Sequence, residues 1–185
     1  MTPTISETTD LGEQAHTALA ALSAKIDMLP DEGDEPRPNE RDRIAARRQL
    51  LREHRRHLSL AVDVCADIGP RIDATRAWRE LLITCQTDLE PRLAESEAED
   101  RRDEDALRQS LRILHDGPEV FPSGELMPNI LHNWLTSHGV KMSNGCLFAG
   151  RGGLRCCDVR LAALAKEHDT ATSELEHWVR AVKSL

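Results

Sequence analysis

Residues 44–89 read IAARRQLLREHRRHLSLAVDVCADIGPRIDATRAWRELLITCQTDL, and how this stretch is read decides the fold. Ile44, Leu51, Leu58 and Cys65 recur every seven residues, joined by Val62 and Ile68, which is the apolar stripe of an amphipathic helix. A second series, Ile72, Trp78, Leu82, Cys85 and Leu89, keeps the same kind of spacing. Between them stands Gly69-Pro70. Glycine commonly ends helices, and proline lacks the N–H that a helix interior needs. The pair therefore predicts a stop, and a turn this short predicts two antiparallel helices packed as a hairpin. That register sets Leu51 against Leu89, Leu58 against Leu82, Val62 against Trp78 and Ile68 against Ile72. It also brings Glu97 and Glu99 to face residues 41–43. Asn39 is the expected cap of the first helix, and Pro91 the expected kink of the second.

Working outward toward the N-terminus, residues 31–40 (DEGDEPRPNE) are acidic and proline-containing, and read as a solvated linker. Before it, Leu11, Ala15, Leu19, Leu22, Ile26 and Leu29 follow helical spacing after an Asp10/Glu13 capping pattern, and Pro30 ends the helix. On the other side, residues 95–105 (ESEAEDRRDED) hold almost nothing apolar and read as a solvated helix face or loop. Ala106 to His115 regains helical spacing, and Asp116-Gly117-Pro118 closes it. Residues 117–128 read as loop. Pro128 to Ser137 reads as a short helix, and Asn144-Gly145 carries the turn signal of a short β-hairpin.

The chain ends in a long heptad pattern. Leu154, Leu161, His168, Leu175 and Val182 lie seven apart, as do Cys157, Leu164, Ala171, Trp178 and Leu185. The two series are offset by three, as a and d positions are. Such a stripe must pack on the hairpin or on another chain. The expected fold is all-α: an antiparallel helical hairpin and a long C-terminal coiled-coil-like helix, with a small Gly-rich irregular module between them. The expected divisions are 1–38 (N-terminal helix and linker), 39–116 (hairpin and acidic segment), 117–152 (loop-rich module) and 153–185 (heptad helix).

Composition agrees. Of the 185 residues 30% are charged and only 3% aromatic, with no tyrosine, and Ala, Glu, Lys, Leu and Arg make up close to half. That is helix-rich, and poor in the aromatic and β-branched residues of a β-sandwich or barrel. No run of ~18 apolar residues suggests a membrane span. Met1 to Asp10 has neither a basic region nor an apolar run, so the sequence suggests no secretory signal and a cytoplasmic protein with reduced thiols.

Five constellations carry potential chemistry. The first is the basic run Arg41–His57, with seven arginines and two acids; Arg41, Arg48, Arg52 and Arg55 suit nucleic-acid phosphates. Against this, the hairpin register neutralises the run with Glu97 and Glu99, and no aromatic residue interleaves for base stacking. The second is a zinc site from His138, Cys146, Cys156 and Cys157, with His132 in reserve, lacking any C-x-x-C pair. The third is a thiol nucleophile, Cys146 or Cys156 with His132 or His138, for which no third orienting residue is marked. The fourth is Gly150-Arg151-Gly152-Gly153 before a helix, where backbone N–H groups with Arg151 and Arg155 would hold an anion; the plainer reading is a sharp turn. The fifth is Trp134, either a partner anchor or a fixing point for the small module.

No catalytic residue is assigned, and no enzyme activity is expected. The leading expectation is an assembly or adaptor protein: a scaffold, structural subunit or inhibitor of a larger complex. It would bind a protein partner, or itself as a homo-oligomer, through Trp134, Leu154, Leu161, His168, Leu175, Trp178 and Val182. The alternatives are a nucleic-acid-binding regulator using helix 41–57, and a small zinc- or thiol-dependent module. His168 in an interchain seam would weaken association below about pH 6, where protonation sets like charges together.

Overall fold

The computed structural model describes residues 5–30, 38–98, 103–117, 127–141 and 151–185. They form five helices: α1 (Ile5–Asp27), α2 (Pro38–Ala98), α3 (Glu104–Asp116), α4 (Asn129–Ser137) and α5 (Leu154–Lys183). No strand occurs among the described residues. The proposed hairpin turn at Asn144-Gly145 lies outside them.

The largest departure from expectation is at Gly69-Pro70. There is no turn: α2 is a single helix of 61 residues that passes through both positions. The expected pairing of Leu51 with Leu89 and of Leu58 with Leu82 is therefore absent, because these residues belong to separate cores. The physical reason lies next to the proline. A proline inside a helix forfeits one backbone hydrogen bond and crowds the residue before it. Here that residue is Gly69, which has no Cβ to be crowded, and packing on either side holds the helix. The Gly-Pro signal does mark a boundary. The chain divides into two compact units, Met1–Pro70 with Lys166–Leu185, and Arg71–Ala165.

The first unit packs α1, the first part of α2 and the last part of α5. Its core holds Ala15, Ala18 and Leu22 from α1, Leu51, Leu58 and Ala61 from α2, and Leu175, Val179 and Val182 from α5. The small side chains of Ala15, Ala18 and Ala61 suit close helix approach. Lys183 Nζ donates to Gln14 Oε1 at 2.9 Å, linking α5 to α1. Arg48 Nη2 donates to the Pro30 carbonyl just beyond α1.

The second unit packs the rest of α2, α3, α4 and the start of α5 around Trp78, Leu82, Cys85, Leu89, Leu107, Leu114, Leu131, Trp134, Leu135 and Cys157. Buried indole N–H groups need acceptors. Trp78 donates to the Gly152 carbonyl at 3.0 Å, and Trp134 to Asp88 Oδ2 at 2.9 Å. Asp103, at the start of α3, does not cap that helix with its side chain; its Oδ1 accepts from the buried Ser96 hydroxyl at 3.0 Å. Glu104 and Asp105 in the first turn favour the positive end of the α3 dipole.

Candidate functional site

The glycine turn before α5 is structural. Gly152 takes φ +70°, which only glycine adopts without strain. The Gly153 N–H donates to the Gly117 carbonyl at 2.8 Å, so it does not point at an anion. A Cβ on Gly153 would stand 2.7 Å from the Leu114 carbonyl oxygen. The two arginines expected to aid anion binding are engaged. The Arg151 guanidinium lies 5.3 Å from the Trp78 ring centroid, and Arg155 stands 3.8 Å from Asp116.

The zinc candidates are dispersed in role. Cys157 is buried in the second core, as its heptad position implied. Cys156 is half-buried, and its thiol donates toward the Gly117 carbonyl with an S···O distance of 3.6 Å. His138 stacks on Trp134 with 3.7 Å between ring centroids, and its Nδ1 lies 2.9 Å from the Trp134 carbonyl. His132 is exposed, and Cys146 lies outside the described residues. Among the described residues no three His, Cys, Asp or Glu side chains gather as a metal site. Cys65, Cys85, Cys156 and Cys157 are all free thiols. Burial pushes the Cys85 thiol up to about 12, and burial also raises Cys65 and Cys157.

The seam residues differ in how far the chain's own helices cover them. Leu154, Leu175 and Val182 are buried, and Leu161, His168 and Trp178 half-buried. Trp178 is surrounded by imidazoles: His57 stacks on it at 4.7 Å, with His54 and His177 edge-on at 5.5 and 5.2 Å. Trp134 is 9% exposed and serves the second core.

The basic run is changed most. With α2 continuous, Glu97 does not face residues 41–43; it pairs with Arg108 of α3 at 2.8 Å. Arg43, Arg47, Arg52, Arg55 and Arg56 are exposed and form no ion pair with another described residue. Arg52, Arg55 and Arg56 line a groove of about 800 Å³ with Ile26 and Asp27 of α1 and with Ser59, Leu60 and Asp63 of α2. Leu60 is 59% exposed, and Leu50 and Val64 are exposed near it in sequence. Sequence reasoning missed these three because they fall outside the heptad stripe that marks the core. At ~100° per residue they share an arc of roughly 80° on α2, which also holds Glu53 and His57.

No helix among the described residues is long and apolar enough to cross a membrane. No protein-family model matches the chain, and neither a curated protein nor a solved structure matches it.

Proposed function

We propose that the chain is a non-enzymatic helical adaptor that holds an acidic partner protein along the outer face of α2 in its first unit. One observation carries this reading: the exposed Leu60 shares a groove with Arg52, Arg55 and Arg56, which form no ion pair among the described residues. Leu50 and Val64 add exposed apolar area on the same helix. Arginine and buried apolar anchors are what interface centres favour. An amphipathic helix with acidic flanks satisfies both at once. The partner surface moves, in this reading, from the C-terminal stripe to α2.

The test is a photo-crosslinking residue placed at Leu60 in the full chain, in cells. The expected product is a discrete protein adduct that Arg52→Glu with Arg56→Glu removes. Unchanged adducts in that variant, or none at all, would overturn the reading. Native mass spectrometry tells whether the partner is a second copy.

A nucleic-acid reading is kept alive by the same arginines, since the expected neutralisation by Glu97 is gone. Phosphates gain nothing from Leu60, which is why a protein partner is preferred. Five neutralised phosphates would give a slope near −4.5 in log affinity against log salt on duplex DNA. Fluorescence anisotropy with a labelled 20-base-pair duplex reads that slope directly.

A further inference from the structure

A second cavity, of about 340 Å³, lies within the first unit between α1, α2 and α5. We infer that it is a binding site for an uncharged, mostly apolar small molecule carrying one hydrogen-bond acceptor, such as a medium-chain ketone. This site is separate from the arginine-bordered face of α2, and neither depends on the other.

Volume is the first argument. The cavity is a cleft open at one side, where His16 and Ala66 are exposed, and its volume falls in the range of ligand pockets, which begin near ~300 Å³. Two glycines in the wall keep this one wide. Gly12 of α1 and Gly69 of α2 both line it, and a Cβ added at either would meet nothing within 4 Å. Glycine is among the poorest residues for a helix interior, so Gly12 is not explained by helix formation, whereas Gly69 also relieves the crowding at Pro70.

The second argument is independent and points to the acceptor. Thr172 lines the cavity and is 9% exposed. Its hydroxyl makes no hydrogen bond among the described residues. The helical threonines Thr17, Thr75, Thr84, Thr87, Thr136 and Thr170 all donate to the carbonyl four residues back. Thr172 alone among these seven is buried without that bond, and a buried unmade donor is costly. A ligand carbonyl accepts from it. His16 and His168 add imidazoles to the wall, each with an N–H to donate when neutral.

The rest of the wall favours a neutral molecule. Leu11, Val62 and Leu175 supply apolar surface. Burial holds the Cys65 thiol protonated at neutral pH, and the nearby Glu174 carboxylate pushes the same way. The wall holds no Lys or Arg to pair with a carboxylate, and burying an unpaired charge is costly. At native packing density the space suits about ten to fourteen heavy atoms.

The experiment is methyl-resolved NMR of the full chain titrated with nonan-2-one, with octanoate as the charged comparison. The expected result is saturable shifts at the methyls of Leu11, Val62 and Thr172, with Leu82 and Leu89 of the second unit unmoved. Octanoate is expected to bind at least tenfold more weakly. Gly12→Leu, which grows into the cavity, should abolish the shifts while leaving the thermal midpoint unchanged or higher. Thr172→Val, isosteric and expected to fold, should weaken nonan-2-one at least fivefold. No saturation up to the ketone's solubility limit, shifts spread equally over Leu82 and Leu89, or full affinity in Thr172→Val would each overturn the site. Equal binding of octanoate would overturn the assignment of a neutral ligand.

Discussion

Trp134 of α4 donates its indole N–H to Asp88 Oδ2 of α2 at 2.9 Å, and the same ring is 9% exposed inside the second core. One side chain thus supplies both the apolar mass and the polar tie that hold α4 in place. The two contributions separate by substitution. Trp134→Phe keeps most of the ring and loses the bond to a carboxylate, and should cost about 1–2 kcal/mol. Trp134→Ala also opens the core and should cost about 3–5 kcal/mol. Urea unfolding checks both. A double-mutant cycle with Asp88→Ala should return a coupling of about 1 kcal/mol, and additivity would show that the bond contributes nothing.

Two glycines should respond to alanine with opposite signs. A Cβ at Gly153 would stand 2.7 Å from the Leu114 carbonyl oxygen and 2.9 Å from the Gly117 nitrogen, both backbone atoms. Backbone yields only by moving the end of α3, so Gly153→Ala should destabilise by about 1–3 kcal/mol. Gly12 sits inside α1 with open space where its Cβ would go. Gly12→Ala should stabilise by about 0.5–1 kcal/mol through helix propensity and a less flexible unfolded chain. Differential scanning calorimetry should show one melting midpoint falling and the other rising.

These residues also show what the sequence could and could not reveal. The helical class, the end of α1 near Pro30 and the positions of α3 and α4 follow from local periodicity. Of the ten heptad positions, Leu154, Cys157, Leu164, Ala171, Leu175 and Val182 are buried, and Leu161, His168, Trp178 and Leu185 are half-buried. Gly69-Pro70 misleads for a physical reason. The heptads on either side of it bury the same residues whether the chain folds back or runs on, so only packing against α1, α4 and α5 decides. Once the turn fails, so does the inference that Glu97 neutralises the arginines; Glu99 lies outside the described residues. The cavity beside Thr172 is illegible for another reason. It is a shape left between three helices remote in sequence, and no spacing rule describes a volume.

The buried thiols predict a base-labile protein. Cys85 is fully buried, and burial with the nearby Asp88 carboxylate lifts its thiol to about 12 from an ordinary value near 9.0. Between those values the unfolded chain releases a proton that the native chain keeps. Stability is therefore intact below about pH 9 and falls as pH rises toward 12. Alkaline titration followed by circular dichroism should show this loss. Maleimide labelling at pH 8 should leave Cys85 unmodified until denaturant is added, and fast native labelling of Cys85 would contradict its burial.

Pro70 offers the sharpest test of the continuous α2. In a helix interior, Pro70→Ala restores an N–H that can bond to the Ala66 carbonyl and removes the ring's crowding. Alanine is favoured over proline there by about 3 kcal/mol at most sites. With Gly69 already relieving part of the crowding, the expected gain is about 1–2 kcal/mol, with helical ellipticity equal or higher. A tight turn at Gly69-Pro70 would give the reverse sign. There, proline stabilises by restricting the unfolded chain, and its removal costs about 0.4–1 kcal/mol. The direction of the urea midpoint shift in Pro70→Ala therefore decides between one long helix and a hairpin. A lowered midpoint would return Glu97 to the arginine-rich face and weaken the case for an acidic partner.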